Sequence, residues 1–388
     1  MTLTLVGKLS VEDKNILLET FRRVNDASNW LSQKVFELKT ANPTKVHRHA
    51  YHELRTRFAL PAAYACAIIR RVCNAYKTRT KKLRFKQVIG FKKFAAIDLN
   101  QFLFDFRDNC QCVSLKLATG ERIKFPVTFG RNLDGKVKFL RKSAKLVYRK
   151  SDGEFYLHVP AEFPEEEPIL PNGWLGVDVG IKNVAVDSLG NFYGGEELTK
   201  KRLHYKEKRR ELQKKKALKR KFGKDNRSVR RALLRISRKE RRFAKDVLHC
   251  VSKRIVADAK ALALGIALEN LKGARARITT KVRRQERYIH SCWSYFTLQQ
   301  YITYKAKLHG VPVIFVDAQN TSRTCPICGF VSKKNRQSQE VFKCGNCGFS
   351  GNADLVAARN IALRAQGINP CPQMPGGFNP PLGQGCHF

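Results

Sequence analysis

The chain has 388 residues, with 75 Lys plus Arg against 32 Asp plus Glu and a formal net charge of +43. With 43% hydrophobic residues it can bury real cores, which excludes a disordered basic tail, and a surplus of this size calls for a polyanion such as a phosphate backbone rather than a small metabolite. Met1–Lys8 lacks the pattern of a signal peptide, and the longest nearly apolar stretch, Ala257–Leu268, is broken by Asp258 and Lys260. The expectation is a soluble, cytoplasmic protein with no membrane association, whose twelve cysteines are thiols or metal ligands rather than disulfides.

In chain order, Leu3–Leu5 predicts a short strand and Ser10 with Asp13 a capping box. Leu17, Phe21, Val24, Leu31, Val35 and Leu38 then recur at helical spacing. A polar break at Thr40–Lys45 precedes a second helical region. Ala62–Tyr76 predicts a third helix, followed by Lys77, Arg79, Lys81, Lys82 and Arg84. From about Phe85 to Pro168 the period changes to two. Short strands are expected at Ser114–Leu117, Arg122–Val127, Lys136–Phe139, Ala144–Arg149 and Phe155–Val159. The acidic segment Glu162–Pro171 predicts a linker, and a new unit starts at Trp174.

Lys200–Lys245 holds 23 basic residues in 46, with four acids. Apolar residues interrupt the charge and Phe222–Asn226 supplies a turn, so two long basic helices forming a hairpin are expected. A charge run is ordinarily a solvated face, but a hairpin that repels itself is suited to lie beside a polyanion. At the other end, Gly367–Phe388 has ten Gly or Pro in 22 residues and is expected to be a disordered tail.

Cys325-Pro-Ile-Cys328 and Cys344-Gly-Asn-Cys347 are separated by fifteen residues. Two pairs at this distance can close as knuckles on one tetrahedral Zn²⁺. Gly329 and Gly348 each follow the second Cys of a pair, where a tight turn calls for positive φ. Four thiolates leave no open position, so this zinc is structural. The other eight cysteines, Cys110 and Cys112 among them, lack a matching pair.

Three acids stand out. Asp178 lies inside the apolar strand Trp174-Leu-Gly-Val-Asp178-Val-Gly180, although strands avoid Asp and an unpaired buried carboxylate is costly. Asn183–Val186 and Asn191–Tyr193 can follow as antiparallel strands. Ala261–Leu268 predicts another apolar strand, ending at Glu269. Asp354 opens the helix Leu355-Val-Ala-Ala-Arg-Asn360-Ile. Singly, Asp178 could pair with an Arg, Glu269 could end a strand and Asp354 could cap a helix. Together, three carboxylates in a basic protein could bind two Mg²⁺ roughly 4 Å apart for phosphodiester chemistry, with Asp178 on both ions.

Gly176-Val-Asp178-Val-Gly180, Leu268-Glu269-Asn270-Leu, Thr321-Ser-Arg-Thr-Cys325 and Asp354-x-x-Ala-Ala-x-Asn360-Ile, in this order, resemble the TnpB family. These are transposon-encoded, RNA-guided DNA endonucleases akin to the type V CRISPR effectors. The resemblance has specific motifs from about Trp174 to Arg364; the amino-terminal half agrees only in order and size. It implies an α+β multidomain protein: a RuvC-like RNase H fold (α/β) over 172–317 and 352–366, with the basic hairpin at 199–256 and an inserted four-cysteine zinc ribbon at 318–351. A β-rich wedge module over 1–8 and 83–168 would precede it, with an inserted helical recognition module over 9–82. Asp178, Glu269 and Asp354 would be the catalytic acids and Mg²⁺ ligands, and Arg323 would position the scissile phosphate. The ribbon would bind target nucleic acid. Val356 departs from the family, whose members commonly carry Asn there.

The implied partners are a guide RNA from the transposon end and double-stranded target DNA, one protein monomer per guide, in the cytoplasm of a prokaryote. The implied activity is Mg²⁺-dependent hydrolysis beside a short flanking motif, leaving 5′-phosphates. The competing class is an RNA-guided DNA-binding repressor that does not cut; degenerate relatives lose a triad acid, and here all three remain. An unguided zinc-ribbon binder would account for charge and cysteines but leaves Asp178 and Glu269 without a purpose.

Overall fold

The protein is described from a computed structural model covering residues 2–7, 9–80, 83–128, 137–150, 152–271, 287–292 and 295–367. Apart from Gly367, the segment expected to be a tail lies outside the described residues. The chain divides into two compact units, Met1–Phe163 and one beginning at Pro164.

The first unit opens with β1 (Thr2–Gly7), α1 (Val11–Glu37), α2 (Pro43–Phe58) and α3 (Ala62–Lys77). Ser10 caps α1: its Oγ accepts from Asp13 N at 3.0 Å and donates to Asp13 Oδ2 at 2.7 Å. The predicted break before α2 is shorter than its sequence suggested. Pro43 already occupies the first turn, where its missing N–H is no loss, and Asn42 Oδ1 accepts from Thr44 N. Six strands follow: β2 (Ile97–Leu99), β3 (Phe104–Arg107), β4 (Cys112–Lys116), β5 (Arg122–Thr128), β6 (Ala144–Arg149) and β7 (Glu154–Pro160).

With β1 they form an antiparallel seven-stranded sheet in the order β2-β6-β7-β1-β5-β4-β3. The strand expected at Lys136–Phe139 is corrected. Val137–Phe139 is one 3₁₀ turn, and pairing resumes only at an isolated bridge from Leu140 to Ala161. β2 and β3 had no sequence signal because their three and four residues are too short for an alternation to register. Helices and sheet share one core that includes Leu5, Phe21, Leu31, Tyr64, Tyr76, Leu146 and Phe155.

The second unit contains a five-stranded sheet in the order β10-β9-β8-β11-β12. Three strands come in succession, β8 (Trp174–Asp178), β9 (Asn183–Asp187) and β10 (Phe192–Gly194), each antiparallel to the next. The chain then leaves the sheet through α4 (Glu196–Lys221) and α5 (Arg227–Ala261), the expected basic hairpin. Glu196 and Glu197 open α4 and Lys219, Arg220 and Lys221 close it, matching the helix dipole. Arg209 bridges the two helices to Glu240 and also meets the hydroxyl of Tyr288, on the short helix α6 (Arg287–Ser291). Most of the remaining charge on α4 faces solvent; only Leu198 and Arg202 are buried there.

The strand expected from Ala261 begins four residues later. Ala261 still belongs to α5, and β11 is Gly265–Glu269, entered through a left-handed Ala263. β11 runs parallel to β8 and to β12 (Val313–Val316), which is reached through α7 (Tyr295–Leu308). A hairpin of β13 (Val341–Lys343) and β14 (Ser350–Asn352) precedes α8 (Ala353–Ala365). The predicted linker is held down at its carboxyl-terminal part: Glu165 pairs with Lys307, and Glu166 with Lys260 and His309. Among the described residues no helix is long and apolar enough to cross a membrane.

One contact sets the geometry of this sheet. A Cβ added to Gly176, in the middle of β8, would lie 2.0 Å from Ala358 O and 2.6 Å from Ala362 N. Only a glycine lets the backbone of α8 lie this close on the strand. Gly176→Ala is therefore expected to push α8 off β8 and to cost roughly 2 kcal/mol or more. Urea unfolding of the two proteins checks this; an unchanged midpoint would refute the close approach.

Candidate active site and metal centre

β8 and β11 lie side by side and in register, Val177 opposite Leu268. The next residue on each strand is an acid, Asp178 and Glu269, so both emerge at the carboxyl ends of adjacent parallel strands about 4.8 Å apart. Both strands are apolar up to their terminal acids because the sheet is covered on two faces, with Leu175, Gly176 and Val177 of β8 and residues 265–268 of β11 all buried. Asp354 enters from α8, in its first turn. It is not the cap it could have been. Asn352 Oδ1 takes that part, accepting from Asp354 N at 3.0 Å and Leu355 N at 3.2 Å, which leaves the Asp354 carboxylate free to turn toward the sheet.

The electrostatics follow from this convergence. Burial, and then the charges of Glu269 and Asp354, push the Asp178 carboxyl up to about 8, against a smaller opposing pull from Arg336. Burial also raises Glu269, partly offset by a hydrogen bond from Thr321 Oγ1 and by the charge of Arg364. Gln299 Nε2 donates to Glu269 O at 2.8 Å and fixes its backbone.

Asp187 shows the contrast. It is fully buried on the neighbouring strand but accepts from Leu189 N, Asn191 N, Asn191 Nδ2 and Tyr193 OH at 2.9–3.1 Å. A carboxylate with that many donors holds a turn together. Asp178 makes no ion pair among the described residues and has two other acids for neighbours, which describes a place for a cation.

Two contacts to Asp354 had no sequence signal. Arg336 donates to its Oδ1 at 3.1 Å and Asn183 Nδ2 to its Oδ2 at 3.2 Å. Arg336 reaches in from the ribbon because its neighbour Asn335, fully buried, donates to Arg323 O and Phe330 O and accepts from Gly345 N. In sequence it is one more cation in a Lys-Lys-Asn-Arg run. Arg323 is exposed, and its guanidinium pairs with no carboxylate among the described residues. Val356 is buried in the small core of the ribbon with Cys325, Phe342, Cys344 and Ala353, so an apolar residue fits where the family commonly has Asn.

Cys325, Cys328, Cys344 and Cys347 come together as expected. The Cys325–Cys347 and Cys328–Cys344 sulfurs are 3.6 Å apart, and all four lie within 4.8 Å of one another. Tetrahedral zinc with bonds of about 2.3 Å separates its sulfurs by about 3.8 Å, so these four could hold a zinc ion. Gly329 and Gly348 have φ of 72° and 73°, the left-handed turns the spacing required. Among the described residues this is the one such set drawn that tightly; the three acids are more widely spread.

Residues 158–289 match the OrfB_IS605 family, described as a probable transposase, and residues 295–361 match the Cas12f1-like TNB domain. Over these two segments the chain is similar to both families. It is 31% identical to a TnpB-like protein of Methanocaldococcus jannaschii over 43% of this chain and 58% of that one. A putative RNA-guided DNA endonuclease, InsQ, of Escherichia coli K12 is 25% identical over 58% of this chain and 57% of its own. A CRISPR-associated endodeoxyribonuclease Cas12f1 of Syntrophomonas palmitatica is 28% identical over 58% of this chain and 46% of its own. The chain thus spans about half the length of these curated relatives. Its fold matches Cas12f1 in a cryo-EM complex with sgRNA and target DNA, with TM-score 0.64 and 19% identity over 89% of this chain and 82% of that one.

Two measurements test these centres. Because folding raises the Asp178 pKa, its neutral form stabilises the fold below about pH 4, and that contribution is lost as pH rises through about 8. In chelator, the melting temperature should therefore fall across this window, and Asp178→Asn should flatten the slope. A wild-type slope that Asp178→Asn leaves intact would contradict the assignment. Replacing Cys325 and Cys328 by Ser should take zinc from about one ion per chain to near zero and lower the melting temperature. Unchanged zinc by elemental analysis would mean that the ligands lie elsewhere.

Proposed function

We propose that this chain is an RNA-guided DNA endonuclease of a transposon, cutting target DNA beside a short flanking motif. The observation that carries the reading is the convergence of Asp178, Glu269 and Asp354 at one end of the sheet, in a chain of charge +43. Three successive antiparallel strands followed by two parallel ones support a RuvC-like fold for 172–317 and 352–366, with the ribbon at 318–351 inserted between strand and helix. The names of the relatives supply the class of partner, because InsQ is called a putative RNA-guided DNA endonuclease and Cas12f1 an endodeoxyribonuclease.

Three converging carboxylates, of which Asp178 and Glu269 have raised proton affinity, are hard oxygen donors, which suits Mg²⁺. Two such ions, when bound, would activate the attacking water and stabilise the leaving oxygen. Asp178 lies between the other two acids and would ligate both. The residues around them hold the geometry: Thr321 and Gln299 fix Glu269, while Asn183 and Arg336 orient Asp354. Arg336 is suited to trade part of its contact with Asp354 for a scissile phosphate, as a guanidinium binds either anion through the same donors. Arg323, exposed where the chain enters the ribbon, is assigned to the strand leading into the site.

The α4–α5 hairpin offers a cationic surface for the backbone of the guide or heteroduplex. The sheet of 1–8 and 83–168, with helices over 9–82, is assigned to the scaffold RNA and the flanking motif. One chain per guide RNA is the stoichiometry proposed, in the cytoplasm of a prokaryotic cell.

The test is to purify the protein from cells carrying its own locus, sequence the RNA that accompanies it, and offer the complex a matching plasmid library with and without Mg²⁺. Mg²⁺-dependent cuts with 5′-phosphate ends beside one motif are expected. Asp178→Ala should lower cutting by roughly three orders of magnitude or more while RNA binding stays within about threefold. Target binding without cuts would establish the repressor reading instead, and heterogeneous RNA would end the guided reading altogether.

A further inference from the structure

The acids and the cysteine ribbon touch through one buried side chain that neither site accounts for. Asn360 lies on α8, two turns beyond Asp354, and is 1% exposed. Its Nδ2 donates to Thr321 O and to Thr324 O, both at 2.7 Å. Both partners are carbonyl oxygens, so the amide must present its NH₂ group to them; Oδ1 points away, buried and without a partner among the described residues. A buried amide that uses both protons on one five-residue loop is a clamp, and leaving those carbonyls unpaired would be costly.

The loop it grips is Asn320–Thr324. Asn320 sits in the left-handed region at φ 61°, its carbonyl accepts from Arg323 N and Thr324 N, and Thr321 and Thr324 are 4% and 5% exposed. Each clamped residue leads to a different centre. Thr321 Oγ1 donates to Glu269. Thr324 precedes Cys325, whose N–H bonds to Phe330 O and which is one of the two buried cysteines of the four-sulfur set. Asp354 stands on the same helix as the clamp. One amide therefore spans the helix of one acid, the loop that positions the second and the first ligand of the ribbon.

We propose that Asn360 is a positioning residue that couples the four-cysteine ribbon to the acid centre, so that the state of the ribbon sets the placement of Glu269. The inference rests on the endonuclease reading for its catalytic arm, but not for its structural arm. An Asp at this position keeps the shape and, when ionised, turns two donors into an acceptor facing two carbonyls. In the purified RNA complex, Asn360→Asp is expected to slow cleavage roughly tenfold or more, with guided target binding changed by less than about threefold. It should also speed the release of zinc to a chromogenic chelator by roughly fivefold or more.

Thr321→Val should slow cleavage without altering zinc release, and Thr321→Ser, which keeps the hydroxyl, should restore the rate. Should Asn360→Asp fail to fold by circular dichroism, Asn360→Ser, with one donor left, carries the same measurements. Zinc release at the wild-type rate in the folded Asn360 variant overturns the coupling whatever happens to cleavage. Equal losses in Thr321→Val and Thr321→Ser overturn the Glu269 arm. A wild-type complex that binds target and does not cut removes the endonuclease reading alone, since zinc release still decides the clamp.

Discussion

Everything at this site depends on how closely a helix can lie on a strand. Residues 174–178 form a central strand with side chains buried on both faces, and such a strand ordinarily keeps a helix about 10 Å away. Gly176 removes one side chain where the backbone of α8 passes, with Ala358 and Ala362 facing it. The helix drops into that gap. Its first turn then brings Asp354 to the end of the strand where Asp178 and Glu269 already stand, so small residues in the middle of two elements decide where the acids at their ends meet.

The cost of that meeting is electrostatic, and two acids of the sheet show how differently it can be met. Asp187 is surrounded by N–H and O–H donors and serves the β9–β10 turn. Asp178 is half-buried beside two other carboxylates, and desolvation and their charges push its carboxyl up to about 8. A site that stores like charge in this way binds a divalent cation with little reorganisation, because the ligands are already gathered and need only lose a proton. Arg336 and Asn183 keep Asp354 engaged from one side, Thr321 keeps Glu269 engaged from the other, and among the described residues no side chain donates to Asp178.

The ribbon is more than an appendage to this arrangement. Asn335 packs its two knuckles together and so aims Arg336 at Asp354, while Val356, on the helix of the acid, is part of the ribbon's own small core. The gathering of the four sulfurs and the placement of the carboxylates draw on the same few residues. The long basic hairpin stands apart from this arrangement. Its charge is mostly solvated, and it is zipped by Arg209, Glu240 and Tyr288 at one level.

Features that depend on residues close in sequence were legible from sequence alone. The Cys-x-x-Cys pairs with their glycines, the Ser10–Asp13 cap, the two basic helices and the acids placed against pattern at Asp178 and Glu269 all follow from spacing, periodicity and propensity. Short strands such as Ile97–Leu99, the 3₁₀ turn at Val137–Phe139 and the helical state of Ala261 were not legible, because three or four residues cannot establish a period and tertiary packing overrides weak preference. Nor was the approach of Arg336 to Asp354, or the difference between a structural Asp187 and a crowded Asp178. Those distinctions rest on contacts between residues far apart in the chain, such as Asn360 with Thr321 or Arg336 with Asp354, and a carboxylate's role depends on which donors and charges the fold brings to it.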